Sequence, residues 1–148
     1  MEKSIEDPSP ARLYATLAGG VLMILGIAGF FYSSSFGSPG DVGETFGLFA
    51  VNGWYNVAHI AVGAIGLLVA GYAARRYAFW LGALCTAIGI WGLIAGSGEA
   101  IFGLLPTGSG NNFLNLALGA LGICAALATP RSRVGKPPVP GKPAAGAT

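Results

Sequence analysis

The residues able to do chemistry gather in short stretches of an otherwise apolar chain. The stretch NGWYNVAHIAVGAIG holds Asn56 and His59, which is the single histidine of the sequence. Asn112 and Asn115 open a second apolar stretch, and Glu99 precedes it. An imidazole can ligate a metal or move protons, whereas amides donate and accept hydrogen bonds. The role of these groups therefore depends on the elements that position them.

Three functional roles for His59 stay open beside a structural one. It could ligate a metal together with Glu44 and Glu99, although zinc sites usually take three or four protein ligands. It could be an axial haem ligand, but a second histidine would have to come from another subunit. It could also serve proton or ion passage, because ionisable groups at membrane depth often mark such paths. We predict structural hydrogen bonding, with no metal and no cofactor.

The composition is that of a membrane protein. The 148 residues, enough for one domain, are 53% apolar and 9% charged, and the mean hydropathy is +0.65. Soluble domains carry about 25% charged residues. The net charge of +2 comes without a basic stripe, which argues against a nucleic-acid partner. We expect the lipid bilayer to be the main surrounding of the chain.

Four charge-free apolar segments predict four membrane-spanning helices. Each can cross a hydrocarbon core of about 30 Å at about 1.5 Å per helical residue. Helices are expected because a backbone in lipid must pair its own N–H and C=O groups. The sequence thus predicts an all-α transmembrane domain over residues 13–129. The approximate spans are residues 13–31, 54–74, 77–97 and 112–129.

All basic residues lie on one side of the predicted spans. The loops on the other side carry Asp41, Glu44 and Glu99 and neither lysine nor arginine. The positive-inside rule therefore places both termini in the cytoplasm. Residues 1–12 are then a cytoplasmic segment, and the basic, Pro- and Gly-rich residues 130–148 are predicted to be a disordered tail. The basic residues are Lys3, Arg12, Arg75, Arg76, Arg131, Arg133, Lys136 and Lys142.

Aromatic residues cluster at both ends of the predicted spans. Tyr14 and Tyr77 lie near the inner end, and Trp54 and Tyr55 lie near the outer end. Aromatic rings are enriched at the level of the lipid headgroups. We therefore expect these four side chains to face the two membrane interfaces.

The two halves of the chain resemble each other. Residues from Tyr14 to Gly29 match residues from Tyr77 to Gly92 at a constant offset of 63. Further along, an offset of 56 pairs Asn56 with Asn112 and the FGLF motif with FGLL, so the first half carries seven more residues in its loop. Two helical hairpins of the same orientation form a parallel repeat about an axis along the membrane normal. We predict a four-helix bundle of two such hairpins.

Glycines and polar residues recur at helical spacing. Asn56 and His59 share one helix face with glycines further along, and the second half repeats this face. In lipid, glycine lets two helix backbones approach closely. Asn56 and His59 should therefore face the bundle interior and bond to Asn112 and Asn115, with His59 opposite Asn115. The predicted helix-packing glycines are Gly19, Gly26, Gly29, Gly63, Gly66, Gly82, Gly89, Gly92, Gly96, Gly119 and Gly122.

The stretch GETFGLFAVNGWYNVAHIAVGAIGLL resembles the bacterial four-span family called domain of unknown function 4383. Asn56, His59 and Gly63 match the family's Asn-x-x-His-x-x-x-Gly pattern. The resemblance covers most of residues 13–129 but not the tail. The family's fourth span often opens with a similar Asn-x-x-His stretch, whereas two asparagines stand there in this chain. The resemblance implies a four-span protein of a bacterial cytoplasmic membrane and implies no activity.

No catalytic motif appears in the sequence, so we predict that the protein is not an enzyme. The expected function is that of a structural or accessory membrane component, either as a homo-oligomer or beside another membrane-protein subunit. The alternative is a unit that binds or transports a small ligand, a metal or an ion. Its site would lie at the outer mouth of the bundle, lined by Asn56, His59, Asn115 and Glu99.

Overall fold

Four α-helices make up most of the chain in a computed structural model that describes residues 9–37, 44–96, 99–102 and 105–130. Asp41, most of the predicted N-terminal segment and nearly all of the predicted tail lie outside these residues. Three helices, α1, α3 and α4, are long and apolar enough to cross a membrane, and α2 is a shorter apolar helix. The helices are α1 Pro10–Gly29, α2 Gly53–Val69, α3 Ala74–Ala95 and α4 Ser109–Ala128.

The helix ends differ from the predicted spans, most clearly between α2 and α3. Helix α2 ends at Val69, and the backbone N–H groups of Tyr72 and Ala73 both donate to its carbonyl. Helix α3 then starts at Ala74, so Arg75 lies in its first turn and not in a link. Alanine and arginine favour helix, whereas Gly71 does not, which explains the position of the break.

The loop between α1 and α2 contains a small antiparallel β-hairpin, and so does the loop between α3 and α4. The all-α prediction missed these strands because two or three residues are too few to show an alternating pattern. The FGLF motif lies at the first turn, where Gly47 adopts a positive φ of 60° that suits glycine. The strands are β1 Glu44–Phe46, β2 Phe49–Val51, β3 Ala100–Ile101 and β4 Leu105–Pro106.

The helices pack in two antiparallel pairs. Helix α1 packs mainly against α2, and α3 packs mainly against α4. Gly19 lies against Gly63, while Gly29, further along α1, lies against the earlier residue Asn56, so the two chains run in opposite directions. We call the end of the bundle with the two long loops the loop end. The opposite end, where α1 begins and α4 ends, is the terminal end.

Small residues fill the contact between the two pairs. Buried alanines of α1 and α3 form most of this core, together with two leucines, a tyrosine and a cysteine, and Leu118 and Ala126 of α4 complete it. Alanine has little side chain to order and lets helices approach, so the centre of the bundle is narrow. The core residues of α1 and α3 are Ala11, Tyr14, Ala15, Ala18, Leu22, Ala74, Ala78, Leu81 and Cys85.

Most of the predicted packing glycines have no room for a side chain. A Cβ atom added at Gly19 would lie 2.8 Å from the carbonyl oxygen of Gly63, and one at Gly82 would lie 2.8 Å from the backbone nitrogen of Ile123. Gly96 is the exception and corrects the prediction. It ends α3 with a φ of 91° and has open space around it, so it serves as a helix terminus. Similar crowding occurs at Gly26, Gly29, Gly63, Gly66, Gly89, Gly92, Gly119 and Gly122.

Two tyrosine hydroxyls join the pairs. Tyr14 of α1 donates to the carbonyl oxygen of Leu118 in α4 at 2.9 Å, and Tyr77 of α3 donates to that of Val62 in α2 at 3.0 Å. The four positions match at the offsets of 63 and 56, so the repeat relates the two bonds. The ring of Tyr14, which was expected near the inner interface, is buried between the helices. Glycine one turn beyond each acceptor leaves room for the hydroxyl.

The terminal end is held by hydrogen bonds to the last turn of α4. Arg75 donates from Nε to the carbonyl oxygens of Ala126 and Thr129 at 3.0 and 3.1 Å. The backbone N–H of Ala11 donates to the hydroxyl of Thr129 at 2.9 Å. A cation at a helix C-terminus is favourable because the unpaired carbonyls carry partial negative charge. Arg75 therefore has structural partners in the last turn of α4.

Substituting Gly19 by leucine should lower the free energy of unfolding by about 1–3 kcal/mol, because the side chain overfills the contact with Gly63. The control is Gly20→Leu, since a Cβ at Gly20 meets nothing within 4 Å. Circular-dichroism melting of both variants in detergent measures the difference. Equal melting temperatures for the two variants would contradict the packing described here.

Replacing Tyr14 or Tyr77 by phenylalanine removes one hydrogen bond between the helix pairs. Hydrogen bonds inside membrane proteins average about 0.6 kcal/mol and reach about 1.7 kcal/mol, so each variant should be less stable by that order. Tyr72→Phe is the control, because Tyr72 is 80% exposed. Unfolding in a denaturing detergent series compares the three variants. If all three variants unfold at the same detergent concentration as the wild type, the two hydrogen bonds do not stabilise the bundle.

Candidate functional site

The buried polar side chains lie in one layer at the loop end. Asparagines dominate this layer, and we call its five asparagines the amide layer. An amide buried without a partner costs a few kcal/mol, so each should find hydrogen bonds nearby. Among the described residues, the buried polar ones are Ser33, Asn52, Asn56, Thr107, Asn111, Asn112 and Asn115.

Asn52 and Asn56 hold the start of α2. Asn52 is the N-cap, and its side-chain oxygen accepts from the backbone N–H of Tyr55 at 2.7 Å. Asn56 is completely buried and donates from Nδ2 to the carbonyl oxygen of Ser33 at 2.9 Å. Among the described residues, no donor reaches its Oδ1, which lies against Gly29. Asn56 thus fixes the chain that leaves α1.

Asn111 joins the two loops, a role that the sequence analysis missed. Its Oδ1 accepts from the N–H of Ala50 at 2.9 Å, and its Nδ2 donates to the carbonyl oxygens of Ala50 and Pro106 at 2.9 and 3.2 Å. The side chain therefore bridges the backbones of β2 and β4 through hydrogen bonds. Its position in the repeat corresponds to Tyr55, so the comparison of the halves gave no signal for it.

Thr107 was also missed, and it closes the second loop. Its hydroxyl lies 2.6 Å from the carbonyl oxygen of Gly96 and 2.8 Å from that of Glu99, and its backbone N–H also donates to Glu99. The side chain of Glu99 is exposed, so the residue contributes its backbone to the layer. A threonine just before a helix was the available signal, since hydroxyls commonly bond to nearby backbone there.

A tyrosine stands between the two polar positions that were expected to pair. Asn115 donates to the carbonyl oxygen of Asn111 at 2.9 Å and more weakly to the Tyr55 hydroxyl at 3.4 Å. The Tyr55 ring packs on His59 with 4.2 Å between ring centroids. The expected bonds from Asn56 and His59 to Asn112 and Asn115 were therefore wrong. Tyr55, expected at the interface, is buried and fills this space.

His59 is half-buried on α2 and makes an aromatic contact. Within the described ranges, no hydrogen bond reaches its ring. The same part of the chain contains no cluster of three or more histidine, cysteine or carboxylate side chains that could hold a metal. The side chain of Glu44, the other proposed partner, lies outside that part. The geometry thus brings His59 to Tyr55.

Asn112 differs from its repeat mate Asn56. It lies against Gly92, as Asn56 lies against Gly29, and it is 4% exposed. Its backbone N–H bonds within the first turn of α4, but no described residue makes a hydrogen bond to its side chain. The layer as a whole is neutral and binds mainly backbone groups. Its evident chemistry is to hold the two loops on the helices.

Comparison with known proteins identifies a family and no characterised relative. The family described as Domain of unknown function (DUF4383) matches residues 12–128, which includes almost all of the four helices. The chain belongs to this family, and the resemblance seen in the sequence is confirmed. No curated protein and no solved structure matches the chain.

Replacing Asn111 by alanine should release β2 from α4. The change leaves the N–H and C=O of Ala50 without their partner, which costs about 1–3 kcal/mol when such groups stay buried. Hydrogen–deuterium exchange should therefore become faster at Ala50, while the middle of α3 keeps its protection. Phe113→Ala is the control, since this neighbouring side chain is exposed. Unchanged exchange at Ala50 would show that Asn111 does not hold the strand.

Proposed function

We propose that this member of the DUF4383 family is a non-catalytic, multi-pass protein of a bacterial cytoplasmic membrane. In this proposal it acts as a structural or accessory component, either as a homo-oligomer or beside another membrane-protein subunit. The observation that carries the proposal is that side chains of the amide layer form hydrogen bonds with the protein's own backbone. Asn52, Asn56 and Asn111 direct their side chains to backbone groups of the protein's own loops and helix ends.

The outer surfaces of the helices support contact with lipid or with another apolar surface. Large apolar side chains are exposed along every helix, which would be unfavourable in water and is ordinary in a bilayer. Helix α2 is about 26 Å long at 1.5 Å per residue, close to the length of a membrane span. Examples of these side chains are Leu17, Ile24, Leu68, Leu84, Ile94 and Leu127.

The proposed topology has four spans in two helical hairpins with both termini in the cytoplasm. The antiparallel contacts within α1–α2 and within α3–α4 support the hairpins. The matching bonds of Tyr14 and Tyr77 support a parallel repeat. The proposed orientation depends on the charges, because the described basic residues Arg12, Arg75 and Arg76 lie at the terminal end, and the other basic residues precede α1 or follow α4 in the sequence.

A second candidate function is the binding of a small ligand, a metal or an ion at a site around His59. Two observations favour it. The completely buried Oδ1 of Asn56 lacks a donor among the described residues, and the His59 ring has no hydrogen bond there. Buried polar atoms without partners sometimes mark a site for an ion or a ligand. The neutral surroundings and the aromatic contact with Tyr55 favour the structural role instead.

Purification from native membranes separates the two functions. For this experiment, green fluorescent protein is fused after Thr148, because this reporter becomes fluorescent only on the cytoplasmic side of the membrane. We expect a fluorescent complex in which a second copy or one other membrane protein is present in a fixed ratio. Elemental analysis and absorption spectra should show metal and haem at background, and His59→Ala should keep the complex. A lone chain with stoichiometric metal that His59→Ala removes would overturn the proposal.

A further inference from the structure

The start of α2 is covered by the chain that leaves α1. The backbone N–H of Gly53 donates to the carbonyl oxygen of Ser35 at 2.9 Å, and Asn56 donates to that of Ser33 at 2.9 Å. The ring of Phe36 lies over Gly53 and meets the Trp54 ring edge-on, with 5.2 Å between centroids. In this pair of helices, two carbonyl oxygens thus accept from the two donors, and one apolar ring covers the helix start.

Among the described residues, none covers the start of α4 in this way. In the repeat, Ser109 corresponds to Gly53, Asn112 corresponds to Asn56, and Gly96 corresponds to Ser33. The carbonyl oxygen of Gly96 instead accepts from Thr107 at 2.6 Å. Helix α4 has no side-chain cap, and no described residue bonds to the Asn112 amide. The loop of the second half is also seven residues shorter, so less chain is available to cover the helix.

A cavity of about 330 Å³ opens between α3 and α4 at this position. Asn112 and Ser109 supply its polar groups, and Leu93, Phe113 and Leu116 supply apolar walls. Leu93 and Phe113 are largely exposed on the flank of the helices, so the cavity opens sideways. The amide of Asn112 is more than nine-tenths buried and lines a space that is accessible from that flank.

We propose that this cavity binds a diacyl phospholipid through an ester carbonyl oxygen. The Asn112 amide donates to that oxygen, and an acyl chain packs along Leu93, Phe113 and Leu116. The first helix pair indicates this chemistry, because the matching donors there go to neutral carbonyl oxygens beside an apolar ring. The ester groups of a bilayer lie just inside the headgroups, which is the depth of the first turn of a spanning helix.

The charges at the loop end favour recognition of the ester group over recognition of the headgroup phosphate. Residues 30–52 and 96–108 contain neither lysine nor arginine, so no cation from these loops is available to bind a phosphate. Burying a phosphate anion in apolar surroundings without a paired cation costs far more free energy than burying a neutral ester carbonyl group. The inference depends on the membrane placement in the proposed function and does not depend on the choice of protein partner.

Native mass spectrometry of the full chain in detergent tests the inference. The probes are two phospholipids with the same headgroup and chain length, one with ester-linked and one with ether-linked chains, since the ether lacks the carbonyl oxygen. We expect the wild type to retain about fivefold more of the ester lipid, the ratio that one net hydrogen bond supports. Equal retention of the two lipids would overturn the inference.

Three variants locate the site. Asn112→Leu should bind both lipids equally, because it keeps an apolar group and removes the donor. Ser109→Trp keeps Asn112 but fills the cavity, as Phe36 does on α2, and it should lower ester-lipid binding to the ether level. Val57→Leu is the control, since Val57 is the exposed repeat mate of Phe113 on the covered pair. Melting curves identify any variant that fails to fold.

An ester preference that persists in both Asn112→Leu and Ser109→Trp would also overturn the inference. That result leaves the proposed function standing, because the native complex and its fluorescent tag are measured separately. A lone chain from native membranes that still shows the ester preference would count against the proposed function and would support the lipid inference. The two proposals can therefore fail independently.

Discussion

Close contact between helix backbones is the constraint on which the rest of this structure depends. Apolar side chains gain little by meeting each other instead of lipid, so helices associate where glycine permits dense van der Waals contact and short polar contacts. Gly19 against Gly63 and Gly82 against Gly119 provide this contact. The same closeness brings each helix start against the end of its neighbour, so that Asn56 lies directly on Gly29.

That closeness explains the buried amides. Once a helix start is pressed against its neighbour, water is excluded, and its backbone and the chain around it need other partners. Asn52, Asn56 and Asn111 supply them, and short β-hairpins pair most of what remains. Amides suit this task because each offers both donors and acceptors without the desolvation cost of a charge. The layer therefore stabilises the loops without burying a charge at the loop end.

The two halves share their helices and differ in their loops. The helices are constrained by the glycine contacts, and the hydrogen bonds of Tyr14 and Tyr77 join positions that match between the two halves of the sequence. The loops are free of that constraint, and a difference of seven residues changes what covers each helix start. The first half supplies an acceptor for Nδ2 of Asn56 from its own chain, whereas the second leaves Asn112 beside a cavity. The start of α2 is thus covered by the chain that leaves α1, whereas the matching position at the start of α4 lies beside an open cavity.

The sequence by itself determined the helical membrane character, the family and most of the glycine contacts, because these follow from local composition and helical spacing. Only the tertiary structure decided the partners of the polar side chains. Asn56 bonds to Ser33, and Tyr55 separates His59 from Asn115, because a hydrogen bond depends on distances between residues far apart in the chain. Gly96 shows the same limit, since its spacing suggested a contact while its backbone ends a helix.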